Sequence, residues 1–214
     1  MFEIKIGKEL DVNEQGTAEV RCKVRFKNKS NQPQPVASFR IRESTSDVVN
    51  IRVKDSKDKP LPYVKTVEED FVGVGIDLQR ITLDVDKTYD LTLRYTIPSM
   101  VRRFDHTYFC KELLVHSLPQ AETCEWIITY TLPKLFSKYE FWKETYVNAP
   151  QASKINTEYG RKVIEHQIVV PKASHREFSF MFQERLNSKI ITLLSFLLGV
   201  GLVQLVEWLI GRIV

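Results

Sequence analysis

The sequence is poor in cysteine, with only Cys22, Cys110 and Cys124 among its 214 residues. An odd number cannot form a closed set of disulfides within one chain. Each cysteine lies among alternating strand-like residues, which favours reduced core side chains. A zinc site could recruit His106 and His116 with two of the cysteines, but the gaps match no common zinc spacing and no CxxC occurs. We therefore predict neither a disulfide framework nor a metal.

The common catalytic and nucleotide-binding motifs are also missing, since GxSxG, HExxH and the Walker pattern are all absent. The GxG of residues 71–76 has no helical pattern after it, which argues against a phosphate-binding loop. Histidines occur singly in strand-like or loop contexts, at His106, His116, His166 and His175. We predict a non-enzymatic protein without a cofactor. Catalytic partners need only be close in space, so a membrane-bound hydrolase, for instance with a Cys110–His116 pair, stays as an alternative.

Long apolar runs are absent until the C-terminus. The N-terminal residues 1–6 show no basic segment followed by an apolar one, so no secretory signal is predicted. Residues 190–206 carry no charge, and the apolar character continues to Val214, interrupted by Glu207 and Arg212. A helix over residues 190–214 would be about 37 Å long, enough to cross a hydrocarbon core of about 30 Å. We predict a single transmembrane helix there; the alternative is a buried or surface-lying amphipathic helix.

The basic residues around this segment predict its orientation. Lys172, Arg176, Arg185 and Lys189 precede it, whereas Arg212 alone lies near its far end. Because basic flanks stay on the cytoplasmic side, the N-terminal domain is expected in the cytoplasm, with the protein tail-anchored in the lipid bilayer.

Polar and small residues share one half of the predicted helix: Ser195, Gly199, Gln204 and Glu207. A small-xxx-small pair lets helices approach closely, and a carboxyl in lipid is costly without a partner. The pattern predicts a homo-oligomer through this helix. The alternative is that Glu207 merely reaches the far headgroups.

Residues 2–182 alternate apolar and polar side chains with period two, which is typical of strands with one buried face. Short strands without intervening helical patterns predict an antiparallel β-sandwich, with a barrel as the alternative. We assign residues 1–182 to this domain and residues 183–189 to a juxtamembrane linker. Loop 55–62 is expected to connect a hairpin, and the glycines of residues 71–76 to mark a bulge or a close backbone approach.

Basic side chains occupy the outward positions of the early strands and are expected to form a ligand-binding surface: Arg21, Lys23, Arg25, Lys27, Arg40, Arg42, Arg52 and Lys54. The alternative is a face that is charged only because it is wet. With a formal net charge of +4, phosphate-bearing partners are favoured, namely anionic headgroups, a nucleotide messenger or RNA. Nucleic acid is the least supported, because few aromatic residues are interleaved to stack bases.

These patterns together predict a tail-anchored binding module that recognises a protein partner or an anionic ligand at the membrane. The alternative function is a membrane-disrupting effector, for example in prokaryotic antiviral defence, whose C-terminal helices assemble in the bilayer.

Overall fold

The structure is a computed structural model that describes residues 2–36, 38–43, 47–69, 71–78, 80–104, 107–110, 113–116, 121–134, 139–147, 154–171 and 175–184. The chain divides into two units, Met1–Gln183 and Glu184–Val214, and the described residues other than Glu184 belong to the first. In the described part, no helix has the length and apolar character needed to span a bilayer. The predicted transmembrane helix, with Ser195, Gly199, Gln204 and Glu207, lies outside the described residues, as do His106 and positions 185–189 of the linker.

The described part of the chain is mainly β. In chain order the strands are β1 Phe2–Val12, β2 Ala18–Asn28, β3 Gln34–Pro35, β4 Phe39–Glu43, β5 Val49–Asp55, β6 Tyr63–Val67, β7 Val72–Ile76, β8 Thr82–Leu83, β9 Thr88–Ile97, β10 Val101–Phe104, β11 Thr107–Cys110, β12 Leu113–His116, β13 Ala121–Thr131, β14 Tyr139–Val147, β15 Lys154–Glu158, β16 Arg161–Pro171 and β17 His175–Glu184.

These strands form open, antiparallel-rich sheets. The largest has the order β15-β16-β13-β1-β2-β9-β5, and a three-stranded sheet has the order β4-β7-β6. A third sheet runs β10-β11-β17-β12 with β14 beside β17, and β3 pairs with β8. Among the described strands no sheet closes into a barrel. One pairing departs from the antiparallel prediction, because β1 runs parallel to β13. The long connection between these two strands allows it, since parallel neighbours need a crossover.

The core lies on the inner face of the seven-stranded sheet. In β1 and β2 the buried and exposed positions alternate as the period-two pattern predicts. Phe26 of β2 meets Phe39 of β4 edge to face at 6.0 Å between ring centroids, so the three-stranded sheet packs against this inner face. Burying one such side chain fully contributes about 1.5–3 kcal/mol. The apolar alternation therefore determines which face of each strand enters the core.

The loop after β5 does not connect a hairpin, and that prediction is wrong. Strand β5 pairs with β9 in the seven-stranded sheet, whereas β6 pairs with β7 in the three-stranded sheet. Residues 56–62 therefore carry the chain from one sheet to the other. The loop first turns back on β5, where the Leu61 amide donates to the Val53 carbonyl at 3.0 Å.

Strand β7 has no bulge at its glycines, and the atoms closest to Gly73 belong to side chains and not to a neighbouring backbone. Pairing of β7 with both neighbours proceeds without a register shift. A Cβ atom on Gly73 would lie 2.6 Å from Arg40 Nε and 2.6 Å from Thr66 Oγ1. Gly73 thus leaves the space through which the Arg40 side chain crosses the strand.

Candidate functional site

Three arginines form one row across the outer face of the seven-stranded sheet. Arg21 of β2 lies directly opposite Arg94 of β9, which lies directly opposite Arg52 of β5. All three are exposed. Side chains in directly opposite positions have Cβ atoms about 4.5–5.5 Å apart. We call these three residues the arginine row. It contains Arg21 and Arg52 from the predicted surface and adds Arg94, which the sequence reasoning missed.

The other predicted cations of this sheet already have carboxylate partners. Lys23 is paired with Glu9 at 3.3 Å, Arg25 with Asp90 at 2.8 Å, Lys54 with Asp58 at 2.6 Å and Lys27 with Asp86 at 3.9 Å. The Arg25 pair is bidentate, with Nε and Nη2 each donating to one oxygen of Asp90, and this contact raises the pKa of Arg25. The charges of these cations are therefore offset by carboxylates of the same chain.

The arginine row differs because none of its side chains has an ion pair or hydrogen bond among the described residues. Like charges directly opposite each other on a sheet are destabilising. The row therefore carries a like-charge repulsion that no carboxylate partner offsets among the described residues, and an anion bound between the guanidiniums would relieve it.

A groove of about 580 Å³ lies at one end of the row. Its polar lining residues are Glu9, Asp11, Glu19, Arg21, Arg94, Thr129 and Thr131. Its carboxylates have partners on the protein: Glu9 pairs with Lys23, Asp11 with Arg161, and Glu19 accepts a hydrogen bond from Thr96 Oγ1 at 2.9 Å. The groove thus presents satisfied carboxylates beside two unsatisfied guanidiniums, so an anionic ligand fits it best.

Arg40 and Arg42 lie elsewhere, on β4 of the three-stranded sheet. Arg40 Nη2 donates to Thr66 Oγ1 at 2.6 Å and to Glu68 Oε1 at 2.5 Å. The structure therefore does not bring the eight predicted cations into one surface. Strand β2 pairs with β1 and β9 and not with β4, which separates the two groups.

A second polar cluster is buried in the core. Lys8 Nζ donates to Oε1 and Oε2 of Glu43 at 2.6 and 2.8 Å, and Tyr95 Oη donates to Oε1 at 2.5 Å. The three residues are only 1–2% exposed. Burial, together with the charge of Glu43, raises the pKa of Tyr95, so its hydroxyl stays protonated and donates. The ion pair joins β1 of one sheet to β4 of the other and is enclosed, which indicates a structural role.

This cluster was missed, although the sequence carries a signal for it. Lys8 occupies an inward-facing position of β1, between the buried Ile6 and Leu10. Glu43 occupies an inward-facing position of β4, after the buried Phe39 and Ile41. Two opposite charges at inward positions predict a buried pair, because a buried charge needs a partner.

The two cysteines whose side chains are described are buried in the core, as predicted. Cys22 lies opposite Lys8 in the β1–β2 register, and Cys124 lies opposite Ile4 in the β1–β13 register. Burial raises the pKa of Cys22 to about 12, which leaves its thiol protonated and unreactive. Cys22 is therefore a core side chain and not a nucleophile.

Comparison with known proteins shows a likeness of fold. No model of a protein family and no curated protein matches this sequence. A solved structure described as a candidate nutrient-binding protein of Legionella pneumophila is similar with a TM-score of 0.52 and 9% identity, over 85% of this chain and 67% of that one.

Two peptidase structures match more weakly. The M1 zinc metallopeptidase of Deinococcus radiodurans has a TM-score of 0.42 at 10% identity, over 85% of this chain and 41% of its own. Legionella pneumophila aminopeptidase A has a TM-score of 0.45 at 8% identity, over 84% of this chain and 21% of its own. This chain therefore spans less than half the length of either peptidase. At these identities the chain is similar in fold alone to the nutrient-binding protein, and the peptidase matches support no inference about function.

Proposed function

We propose that this chain is a non-catalytic binding module that holds a phosphate-bearing ligand on the outer face of its seven-stranded sheet. Its stacked sheets form a β-sandwich, and residues 190–214 tether it to the membrane with the sandwich in the cytoplasm. The arginine row carries the proposal, because its three guanidiniums are exposed, adjacent and unpartnered among the described residues.

The chemistry of arginine explains why the row suits phosphate. A guanidinium is planar and always charged, and it donates two parallel hydrogen bonds to a phosphate or a carboxylate. Arg25 shows this geometry on the same face, with Asp90 as its acceptor. Arg21 and Arg94 offer the same donors to a molecule from solution.

The position of the row also favours binding over a merely wet surface. A face that is charged only because it contacts solvent can have its cations paired with carboxylates, as Lys23, Arg25 and Lys54 are. The arginine row is not paired in this way. Unpaired like charges cost folding stability, and such costs are typical of functional sites.

The double substitution Arg21→Gln/Arg94→Gln is expected to weaken binding to phosphate groups at least about tenfold, since one hydrogen bond to a charged group contributes roughly 1.5–3 kcal/mol. The measurement is the salt concentration that elutes the purified full chain from a resin that carries isolated phosphate monoester groups. The double variant should elute at clearly lower salt than the wild type.

Arg25→Gln/Lys54→Gln is the matched control, because it removes the same charge from the same face but from cations that Asp90 and Asp58 already neutralise. It should elute close to the wild type. Equal shifts in both double variants would mean that only net charge matters and that the arginine row is not a site.

The membrane tether has a separate test, motivated by the apolar segment of residues 190–214 and the basic residues before it. Protease added to intact cells is expected to leave the sandwich uncut, whereas permeabilised cells should lose it. The readout is an immunoblot against the N-terminal domain. Cleavage in intact cells would contradict the proposed topology. Recovery of uncut protein in the soluble fraction would contradict the proposed membrane tether.

A further inference from the structure

We infer that the ligand of the groove is a compact phosphorylated compound, with one or two phosphate groups on a hydroxyl-bearing body, and not an extended polyanion. This inference rests on the proposed function and narrows its ligand. It is drawn from the mixed charge of the groove, which a positive surface alone would not show.

The groove has a basic end and an acidic end. From β13 to β5, one cross-strand row reads Thr129, Glu9, Arg21, Arg94 and Arg52. The next row reads Thr131, Asp11, Glu19 and Thr96. The two unpaired guanidiniums that line the groove therefore lie on one side of it, and three carboxylates lie beside them. Glu9 and Asp11 are paired with Lys23 and Arg161, whereas Glu19 has no cationic partner among the described residues.

The basic end calls for more than one negative charge. Arg21 and Arg94 are directly opposite and line the same groove, so both are near enough to bind a single group, and Arg52 adds a third cation to the row. A carboxylate brings a single charge, whereas a phosphate monoester carries about −1.5 to −2 at neutral pH with three acceptor oxygens. A phosphate or diphosphate group matches these donors better than a carboxylate does.

The acidic end excludes long polyanions. A nucleic-acid strand carries one charge about every 3.4 Å, so a strand crossing the row would bring phosphates over these carboxylates, including Glu19, whose charge is not offset by a cation among the described residues. A flat anionic bilayer would meet the same carboxylates. A compact ligand avoids them by placing its phosphate at the arginines only.

The acidic end can also bind the hydroxyl-bearing part of the ligand. Carboxylates accept hydrogen bonds, and the hydroxyls of Thr129 and Thr131 both donate and accept, so this end suits sugar-like hydroxyl groups. The groove volume of about 580 Å³ falls in the range of small-molecule sites, roughly 300–1,000 Å³. A nucleotide, a sugar phosphate or a phosphorylated lipid headgroup shares the chemistry required.

The test is calorimetric titration of the full chain, held in nanodiscs of zwitterionic lipid, with four probes. These are inorganic pyrophosphate, ribose 5-phosphate, succinate and a single-stranded oligonucleotide. Pyrophosphate and ribose 5-phosphate should bind at least about tenfold more tightly than succinate, because phosphate provides more charge and more acceptors. Arg21→Gln/Arg94→Gln should abolish this binding, whereas Arg25→Gln should preserve it.

A second variant tests the acidic end in the opposite direction. Glu9→Gln/Glu19→Gln should leave pyrophosphate binding intact or tighter. It should also allow the oligonucleotide to bind, because the carboxylates no longer repel its phosphates.

A flotation assay compares vesicles that contain a phosphoinositide with vesicles that contain phosphatidylserine. Binding of the phosphoinositide and its competition by pyrophosphate would place the phosphate on a lipid; binding of the soluble probes alone would make the ligand soluble.

The outcomes separate the two proposals. If the oligonucleotide or phosphatidylserine vesicles bind as tightly as pyrophosphate through Arg21 and Arg94, the compact-ligand inference falls and the proposed function stands. Succinate binding equal to pyrophosphate would also overturn the inference, because phosphate would not be distinguished. If no anion binds through these arginines, both proposals fall.

Discussion

Replacing Lys8 with methionine is expected to lower the free energy of unfolding by about 3–5 kcal/mol, the usual cost of removing one partner from a buried ion pair. Lys8 Nζ contacts both oxygens of Glu43, and neither residue is more than 2% exposed. The variant leaves the Glu43 carboxylate in the core with only the Tyr95 hydroxyl as a donor. Urea unfolding of the full chain in mild detergent, monitored by tryptophan fluorescence, measures this change in the free energy of unfolding.

Double and triple variants show whether the loss comes from an uncompensated charge. Lys8→Met/Glu43→Leu should recover most of it, because apolar residues of similar volume often replace a buried pair without net cost. A remainder of about 1–3 kcal/mol is expected from the Tyr95 hydroxyl, which loses its acceptor, and adding Tyr95→Phe should remove that too.

Lys23→Met is the control on the same sheet. Lys23 and Glu9 are each 53% exposed at 3.3 Å, and an exposed pair of this kind contributes about 0–1 kcal/mol. If Lys8→Met costs no more than Lys23→Met, or if the double variant is less stable than the single one, the buried pair does not join the sheets as described.

Gly16→Ala is expected to destabilise the protein by about 2 kcal/mol or more, since a left-handed backbone alone costs an L-residue about 1–2 kcal/mol. Gly16 has a φ of +80° in the β1–β2 turn, and a Cβ there would lie 2.4 Å from the Val101 carbonyl oxygen. The Val101 amide also donates to the Gly16 carbonyl at 3.0 Å, so neither segment can move without losing this bond.

Gly7→Ala should act in the opposite direction. Gly7 lies in β1 without a positive φ, and a Cβ added to it would meet no atom within 4 Å, so alanine fits without strain. Restricting the unfolded chain should then stabilise the protein by about 0.4–1 kcal/mol. The same urea titration measures both variants, and destabilisation of similar size in the two would show that the Val101 contact is not responsible.

The period-two pattern predicted the strands and their buried faces because side-chain direction in a strand is a local property. Phe2, Ile4 and Ile6 are buried as their alternation indicates, and the same rule places Arg21 outward and Cys22 inward. The glycines of β7 predicted a bulge or a close backbone approach, but the space at Gly73 is occupied by the side chains of Arg40 and Thr66, which the local pattern did not reveal. The burial of Lys8 and Glu43 could also be predicted locally, because each is a charged residue at an inward position among apolar residues.

The sequence by itself thus determined that the chain is mainly β and which side chains of its early strands face the core. Only the tertiary structure decided which strands are neighbours, because pairing joins residues far apart in the chain and period two carries no information about partners. Arg94 lies opposite Arg21 because β2 pairs with β9, whereas Arg40 lies in a different sheet because β4 pairs with β7. Lys8 and Glu43 form an ion pair between the two sheets. Each placement follows from long-range burial and hydrogen bonding, which no local pattern records.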